Sequence, residues 1–272
     1  MIDPKDITIL VQGKLHKHTL SRIQKYRKYG HILIGCDLQD DRTVLDEYNL
    51  EGCEIAYLDI SIADTTFDCF RVYKQCKSIY EGLKHVKTPF AMKVRADYWV
   101  GNLEPFIQKM GEYPDKFVTN NMYFRPDRVA KYHISDHMVG GKTEDMLKGY
   151  EICCHRLENH SKEVREGFND YRFLQNDKWE YWEGKEGSSV PNASQEMPPG
   201  IGVAPEVLIG SSLVVAKGYP ATKDESIEKM KACFEIVRVE DMLPYLNKYF
   251  TSEIPHDGIH NGLEINDIRE IG

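Results

Sequence analysis

The sequence predicts an α/β protein built on a mostly parallel, doubly wound central sheet flanked by helices. Three observations predict it. The first 120 residues alternate strand-like and helix-like runs, the pattern of strand–helix–strand units. The strand-like runs are continuous and apolar, as expected of strands covered on both faces. Polar residues stand where those runs end, at Gln12, Asp37, Asp59 and Asp97. In such sheets the ligand crevice lies outside the carboxyl ends of the strands.

The elements follow in order. Ile7 to Val11 is an apolar, β-branched run that stops at the Gln12-Gly13 turn signal. His18 to Tyr29 reads as a helix, with Leu20, Ile23 and Tyr26 at helical spacing. His31 to Cys36 and Glu54 to Leu58 are the second and third strands. Asp64-Thr65-Thr66 caps a long helix reaching about Val86, with Cys69, Val72, Tyr73, Cys76, Ile79, Tyr80 and Leu83 on one stripe. Pro89 closes it. Phe90 to Asp97 is a fourth strand and Lys116 to Asn120 a fifth.

The second half is less regular. Asp136 to Lys142 reads as a segment containing a Gly-Gly turn, followed by a helix from Thr143 to about Asn159. Glu144 and Asp145 sit in its first turn, where the helix dipole favours acids. Residues 177–202 are rich in Gly, Ser, Pro and Asn and read as a long loop. Val207 to Ala216 is another apolar segment, and Asp224 to Phe234 and Val239 to Tyr249 read as two closing helices. The expected organisation is one domain over residues 1–250, with a regular strand–helix half (6–120) and a less regular half (121–250), then a polar tail (251–272).

Composition narrows the function. The chain has 272 residues and a formal charge of −8, so the basic footprint of a nucleic-acid binder is missing. Seven cysteines, two of them adjacent at Cys153-Cys154 and none in a CxxC pair, argue against a disulfide framework or zinc ribbon. They fit a reducing compartment. The N-terminal residues lack a signal-peptide core, and no run reaches the roughly 18 apolar residues of a membrane span. The expectation is a soluble, cytoplasmic protein with at most peripheral membrane association.

The sharpest cluster is Lys93-Val94-Arg95-Ala96-Asp97. Residues two apart on a strand share a face, so Lys93, Arg95 and Asp97 are expected to line up. Two cations would neutralise diphosphate oxygens, and the carboxylate would hold Mg²⁺ or Mn²⁺. A salt-bridged Arg–Asp pair on a strand edge explains the same residues equally well.

The chain resembles the WavE-type lipopolysaccharide-synthesis family of glycosyltransferases. The resemblance rests on residues 6–13, 71–75, 88–97, 132–145 and 204–206, taken in that order. It implies a GT-A-type, Rossmann-like fold and sugar transfer from a nucleotide-diphosphate-sugar donor to a glycan or lipid-linked saccharide, as in surface polysaccharide synthesis. It also implies that Arg95-Ala96-Asp97 stands where GT-A enzymes carry a DxD motif. The first aspartate is replaced by Arg95, which leaves one carboxylate, Asp97, as the metal ligand and lets Arg95 supply part of the ion's charge.

By the same resemblance Gln12 and Gly13 lie where the nucleotide base is held. Arg71 and Gln75, one helical turn apart, reach the donor together; a solvated helix face is the alternative. If transfer inverts the anomeric centre, a base must take the acceptor's proton. Asp136 and Glu206 are the candidates, and a loop carboxylate and a first-turn helix acid are their plainer explanations. His256 and His260 have metal-ligand character, and Trp179, Tyr181 and Trp182 could stack on a sugar. The rival functions are a sugar-1-phosphate nucleotidyltransferase and a non-catalytic glycan-binding module. The nucleotidyltransferase's usual Gly-rich basic loop is reduced here to Gln12-Gly13-Lys14.

Overall fold

A computed structural model describes residues 2–15, 23–38, 43–46, 50–60, 72–121, 131–167, 205–222, 225–242 and 244–246. The strands in chain order are β1 (Ile7–Gln12), β2 (His31–Asp37), β3 (Cys53–Leu58), β4 (Phe90–Arg95), β5 (Tyr98–Val100), β6 (Phe117–Asn120), β7 (Met138–Lys142), β8 (Phe234–Val237) and β9 (Pro244–Leu246). The helices are α1 (Thr43–Asp46), α2 (Val72–Leu83), α3 (Glu104–Glu112), α4 (Thr143–Gly167), α5 (Pro205–Ala216) and α6 (Ser226–Cys233).

Seven strands form the main sheet in the order β3-β2-β1-β4-β7-β6-β8. All pairings are parallel except those made by β7, which runs against both its neighbours. The α/β class with a mostly parallel sheet and flanking helices is therefore the observed one. From β1 the chain steps outward through β2 and β3, then returns to lay β4 on the other side of β1. The topological switch point falls between β1 and β4.

Strand periodicity explains the two core layers. Successive side chains point to opposite faces. Ile7, Ile9 and Val11 of β1 face one layer with Ile32, Ile34, Met92, Val94 and the α3 residues Phe106, Ile107 and Met110. Leu10 faces the other, with Leu33, Ala91, the α2 residues Cys76, Ile79 and Leu83, and Tyr150 and Cys153 of α4. Of the α2 stripe read from the sequence, Cys76, Ile79 and Leu83 are buried, while Tyr73 and Tyr80 are half-buried.

Several local expectations are corrected. Gly140 and Gly141 form no turn; they lie inside β7. A Cβ on Gly140 would come within 2.7 Å of Met110 Sδ and 2.8 Å of Phe106 Cε1, so the glycine serves close approach of α3 to the sheet. The helix expected over 239–249 is not what residues 239–242 and 244–246 form, and the rest of that span lies outside the described residues. Val239–Met242 is a 3-10 turn, and Pro244–Leu246 is β9, paired antiparallel with β5. Pro244 cannot continue a helix but is tolerated on an edge strand. The strand expected over 90–97 stops at Arg95. Ala96 and Asp97 form a turn into β5, with the Ala96 N–H donating to Gln12 O at 2.7 Å. The first expected helix is described only at its end, as a 3-10 stretch Gln24–Lys28. The helix from Thr143 runs on to Gly167. The long loop, its aromatic residues and the C-terminal tail with its histidines lie outside the described residues.

Candidate functional site

The switch point carries the candidate site. Gln12 ends β1 and pairs in register with Arg95 at the end of β4. Gly13 follows with φ of 112°, a left-handed conformation that favours glycine. On the other side of β4, Met138 pairs with Val94. Because β7 is reversed, its beginning, not its end, lies at the carboxyl edge of the sheet. That reversal brings Asp136 and His137 beside Arg95, whose N–H donates to His137 O at 3.1 Å. Thr119 of β6 pins the same segment, its hydroxyl donating to Ser135 O at 2.9 Å and to Met138 O at 3.1 Å.

Side chains converge there from three elements. Arg95 holds Asp97 with a two-pronged contact, Nε to Oδ1 at 2.9 Å and Nη2 to Oδ2 at 2.7 Å. Its Nη1 donates to Asp136 Oδ2 at 3.3 Å. Gln75, from α2, donates to the same Oδ2 at 2.6 Å. Lys93, fully buried, donates through Nζ to the backbone carbonyl of Asp136. One helical position before Gln75, Lys74 pairs with Asp37 at the end of β2 at 2.6 Å. The N-terminal half of α2 is thereby tied to two strand ends at the same edge.

The cluster sets its own charge states. Burial pushes the Lys93 pKa down from 10.5 to about 8, against the pull of Asp136. Burial also pushes His137, stacked edge-on to Tyr98 at 5.2 Å, down from 6.5 to about 4, so its imidazole is neutral near pH 7. For Asp136 burial acts upward, but His137, Lys93, Arg95 and the Gln75 hydrogen bond outweigh it and hold the carboxyl well below the usual range. For Asp97 burial again acts upward, and the Arg95 contacts reverse it to a net lowering.

The residues singled out in sequence fall into place unequally. Gln75, Lys93, Arg95, Asp97 and Asp136 form one hydrogen-bonded cluster, with Gln12 and Gly13 adjoining it through the β1–β4 pairing. Arg71 lies outside the described residues. Glu206 is half-buried in the first turn of α5. One turn on, Gly210 sits against the Tyr132 backbone and the Ile134 side chain, in the segment that leads to Asp136. Sequence reading passed over Lys74, Thr119 and Tyr98. Their roles depend on which strands are neighbours, and no local pattern announces that.

A divalent cation does not fit these residues as they stand. Among the described residues no group of three or more His, Cys, Asp or Glu side chains converges. Both oxygens of Asp97 accept from Arg95, and Asp136 Oδ2 accepts from Arg95 and Gln75. Asp136 Oδ1 is buried without a hydrogen bond among the described residues, with His137 Nδ1 3.3 Å away. A dication about 4 Å from the guanidinium would meet repulsion on the order of 8 kcal/mol at an effective dielectric near 20.

Comparison with known proteins agrees with the resemblance read from the sequence. Residues 62–180 match the WavE lipopolysaccharide synthesis family, a span that contains Gln75, the Lys93–Asp97 run and Asp136. No curated protein matches the chain. Among solved structures it is similar to 4-diphosphocytidyl-2C-methyl-D-erythritol synthase from Anaerococcus prevotii, at 14% identity and a TM-score of 0.37, over 55% of this chain and 76% of that one. It is also similar to glucosyl-3-phosphoglycerate synthase from Mycobacterium tuberculosis, solved with Mn²⁺, UDP and phosphoglyceric acid, at 8% identity and a TM-score of 0.38 over 58% of this chain. A mycobacterial protein aligns at 7% identity and a TM-score of 0.38, again over 58% of this chain. The chain spans 65% and 62% of the lengths of these last two.

Proposed function

From the WavE match over residues 62–180 and the cluster at the switch point, we propose that this chain is a glycosyltransferase. It takes a sugar from a nucleotide-diphosphate-sugar donor and passes it to a glycan or lipid-linked saccharide acceptor. The observation that carries the reading is the placement of Arg95. Its guanidinium stands at the carboxyl end of β4, one strand from the Gln12-Gly13 turn, held by carboxylates from two directions. A planar fork so oriented suits phosphate oxygens.

The division of labour follows from the charge states. Gln12 and Gly13 border the crevice where the donor's nucleoside lies, and Arg95 faces its diphosphate. Gln75 and Asp136 hold Arg95 in place. Asp136 is a poor base, because it is 2% exposed and its carboxylate is stabilised by cations and a hydrogen bond. Glu206, in the first turn of α5 and one turn before the Gly210 that packs on Tyr132, is the better candidate to accept the acceptor's proton. Residues 1–250 act as one unit in this reading, on the cytoplasmic side of the membrane that bears a lipid-linked acceptor. Among the described residues no helix is long and apolar enough to cross a membrane.

A thermal-shift screen of nucleotide sugars tests the proposal. A ligand at 100 times its Kd adds about 2.7 kcal/mol of stability, so one donor should raise the melting temperature by several degrees. Stabilisation by a nucleoside triphosphate and not by a nucleotide sugar would point to nucleotidyl transfer. A response to glycans alone would point to a binding module.

A further inference from the structure

We propose that the Arg95 guanidinium, clamped between Asp97 and Asp136, takes the place of a divalent cation, so that the site binds a nucleoside diphosphate sugar without metal. The inference rests on the donor-binding reading above and states how the donor's charge is met.

Three facts support it. A hard cation needs several open oxygen ligands, and three of the four carboxylate oxygens here already accept from Arg95 or Gln75, the fourth, Asp136 Oδ1, being buried. The guanidinium has five N–H donors. Three of them are spent on Asp97 and Asp136 among the described residues, which leaves one on each terminal nitrogen, enough for two phosphate oxygens. The three spent bonds fix the plane of the guanidinium before any ligand arrives, which lowers the ordering cost of binding. In this arrangement the carboxylates are a clamp, and the cation they orient is covalently part of the chain.

Lys93 completes the balance of charge. The two cations are equal in number to the two carboxylates, Arg95 pairing with both and Lys93 held on the Asp136 carbonyl. The arriving diphosphate then meets oriented N–H groups in a largely buried setting, where charge-assisted hydrogen bonds are strong. A lysine in Arg95's position would keep the charge but lose the fork and the clamp.

Calorimetric titration of the wild-type chain with UDP, GDP, ADP and dTDP, each in EDTA and in excess Mn²⁺, tests the inference without any variant. At least one nucleotide is expected to bind in EDTA with a Kd within about threefold of its value in Mn²⁺, since the fixed guanidinium already supplies the positive charge. Arg95→Lys should weaken that binding about tenfold or more in EDTA while the variant still melts cooperatively. Binding that depends on Mn²⁺ would overturn the inference and leave the glycosyltransferase reading standing. Unchanged binding by Arg95→Lys would overturn it too. Absence of binding by every nucleotide in both buffers would remove the inference together with the donor-binding reading.

Discussion

Two carboxylates of this site were equal candidates for the same task, and their surroundings separate them. Asp136 is buried, doubly hydrogen-bonded through one oxygen, and held ionised by Lys93 and Arg95. Glu206 sits half-buried at a helix start. Replacing Glu206 by Gln should lower kcat by about a hundredfold or more, the usual worth of a general base, with donor affinity unchanged in calorimetry. Asp136→Asn should instead weaken donor binding and activity together, because it loosens Arg95. Equal kcat for Glu206→Gln and wild type would remove the base assignment. Arg95→Ala takes the ion pair from Asp97 and one of two hydrogen bonds from Asp136, in a largely buried setting. A stability loss of about 3 kcal/mol, measured by urea unfolding, is expected from breaking such a network.

At the scale of elements, the segment that carries Asp136 depends on how helix α5 packs against it. Helix α5 lies so close to the segment leading to Asp136 that a Cβ on Gly210 would come 1.9 Å from the Tyr132 carbonyl oxygen. That neighbour is backbone, not a flexible side-chain end, so something larger must move. Gly210→Ala should therefore cost about 1–3 kcal/mol. It should also weaken nucleotide binding, because Tyr132 to Ile134 lead directly into Asp136. A variant as stable as wild type in urea unfolding would show that α5 can draw back freely. Packing of α5 on α4 is reinforced by the Lys217–Asp145 ion pair at 2.5 Å, which ties the end of α5 to the first turn of α4. Asp145, read from sequence as a first-turn acid, thus also joins two helices.

For the whole molecule, two buried bases shape stability against pH. His137 has a folded pKa below its ordinary value, about 4 against 6.5, so the unfolded chain binds its proton first as pH falls. Stability contributed by the neutral imidazole is present above about pH 6.5 and is lost on acidification towards pH 4. Lys93 is depressed from 10.5 to about 8. By the same sign, stability rises as pH climbs from about 8 to 10.5, because the folded lysine is already neutral while the unfolded one is still charged. Each arm is worth on the order of 3 kcal/mol. Urea unfolding across pH 4 to 10 should show the acid arm, flattened by His137→Phe. The alkaline arm is read as the difference between wild type and Lys93→Met. Cys76 is raised by its contact with Cys153 and by burial, Tyr150 and Cys233 by burial, and their loss of stability as pH climbs opposes it. Arms that survive these substitutions would assign the effect to other groups. Asp97 and Asp136 add a further loss below about pH 4, where depressed carboxylates begin to take protons that the unfolded chain binds more readily.

Local pattern was sufficient for β1, β2, β3, β4 and β6, for the buried stripe of α2 and for the start of α4, because periodicity and apolar runs are properties of neighbouring residues. Strand pattern singled out the Lys93–Asp97 run, the family resemblance added Gln75, and the need for a base added Asp136 and Glu206. Local pattern misread Gly140-Gly141, because two glycines in a strand and two in a turn look alike until α3 is known to press on them. It could not join Asp136 to Gln75 and Arg95, which lie 61 and 41 positions away along the chain. Their meeting requires β7 to enter the sheet reversed beside β4, a choice made by long-range pairing and packing. That choice puts a guanidinium between two carboxylates, and so decides how positive charge is presented at the site.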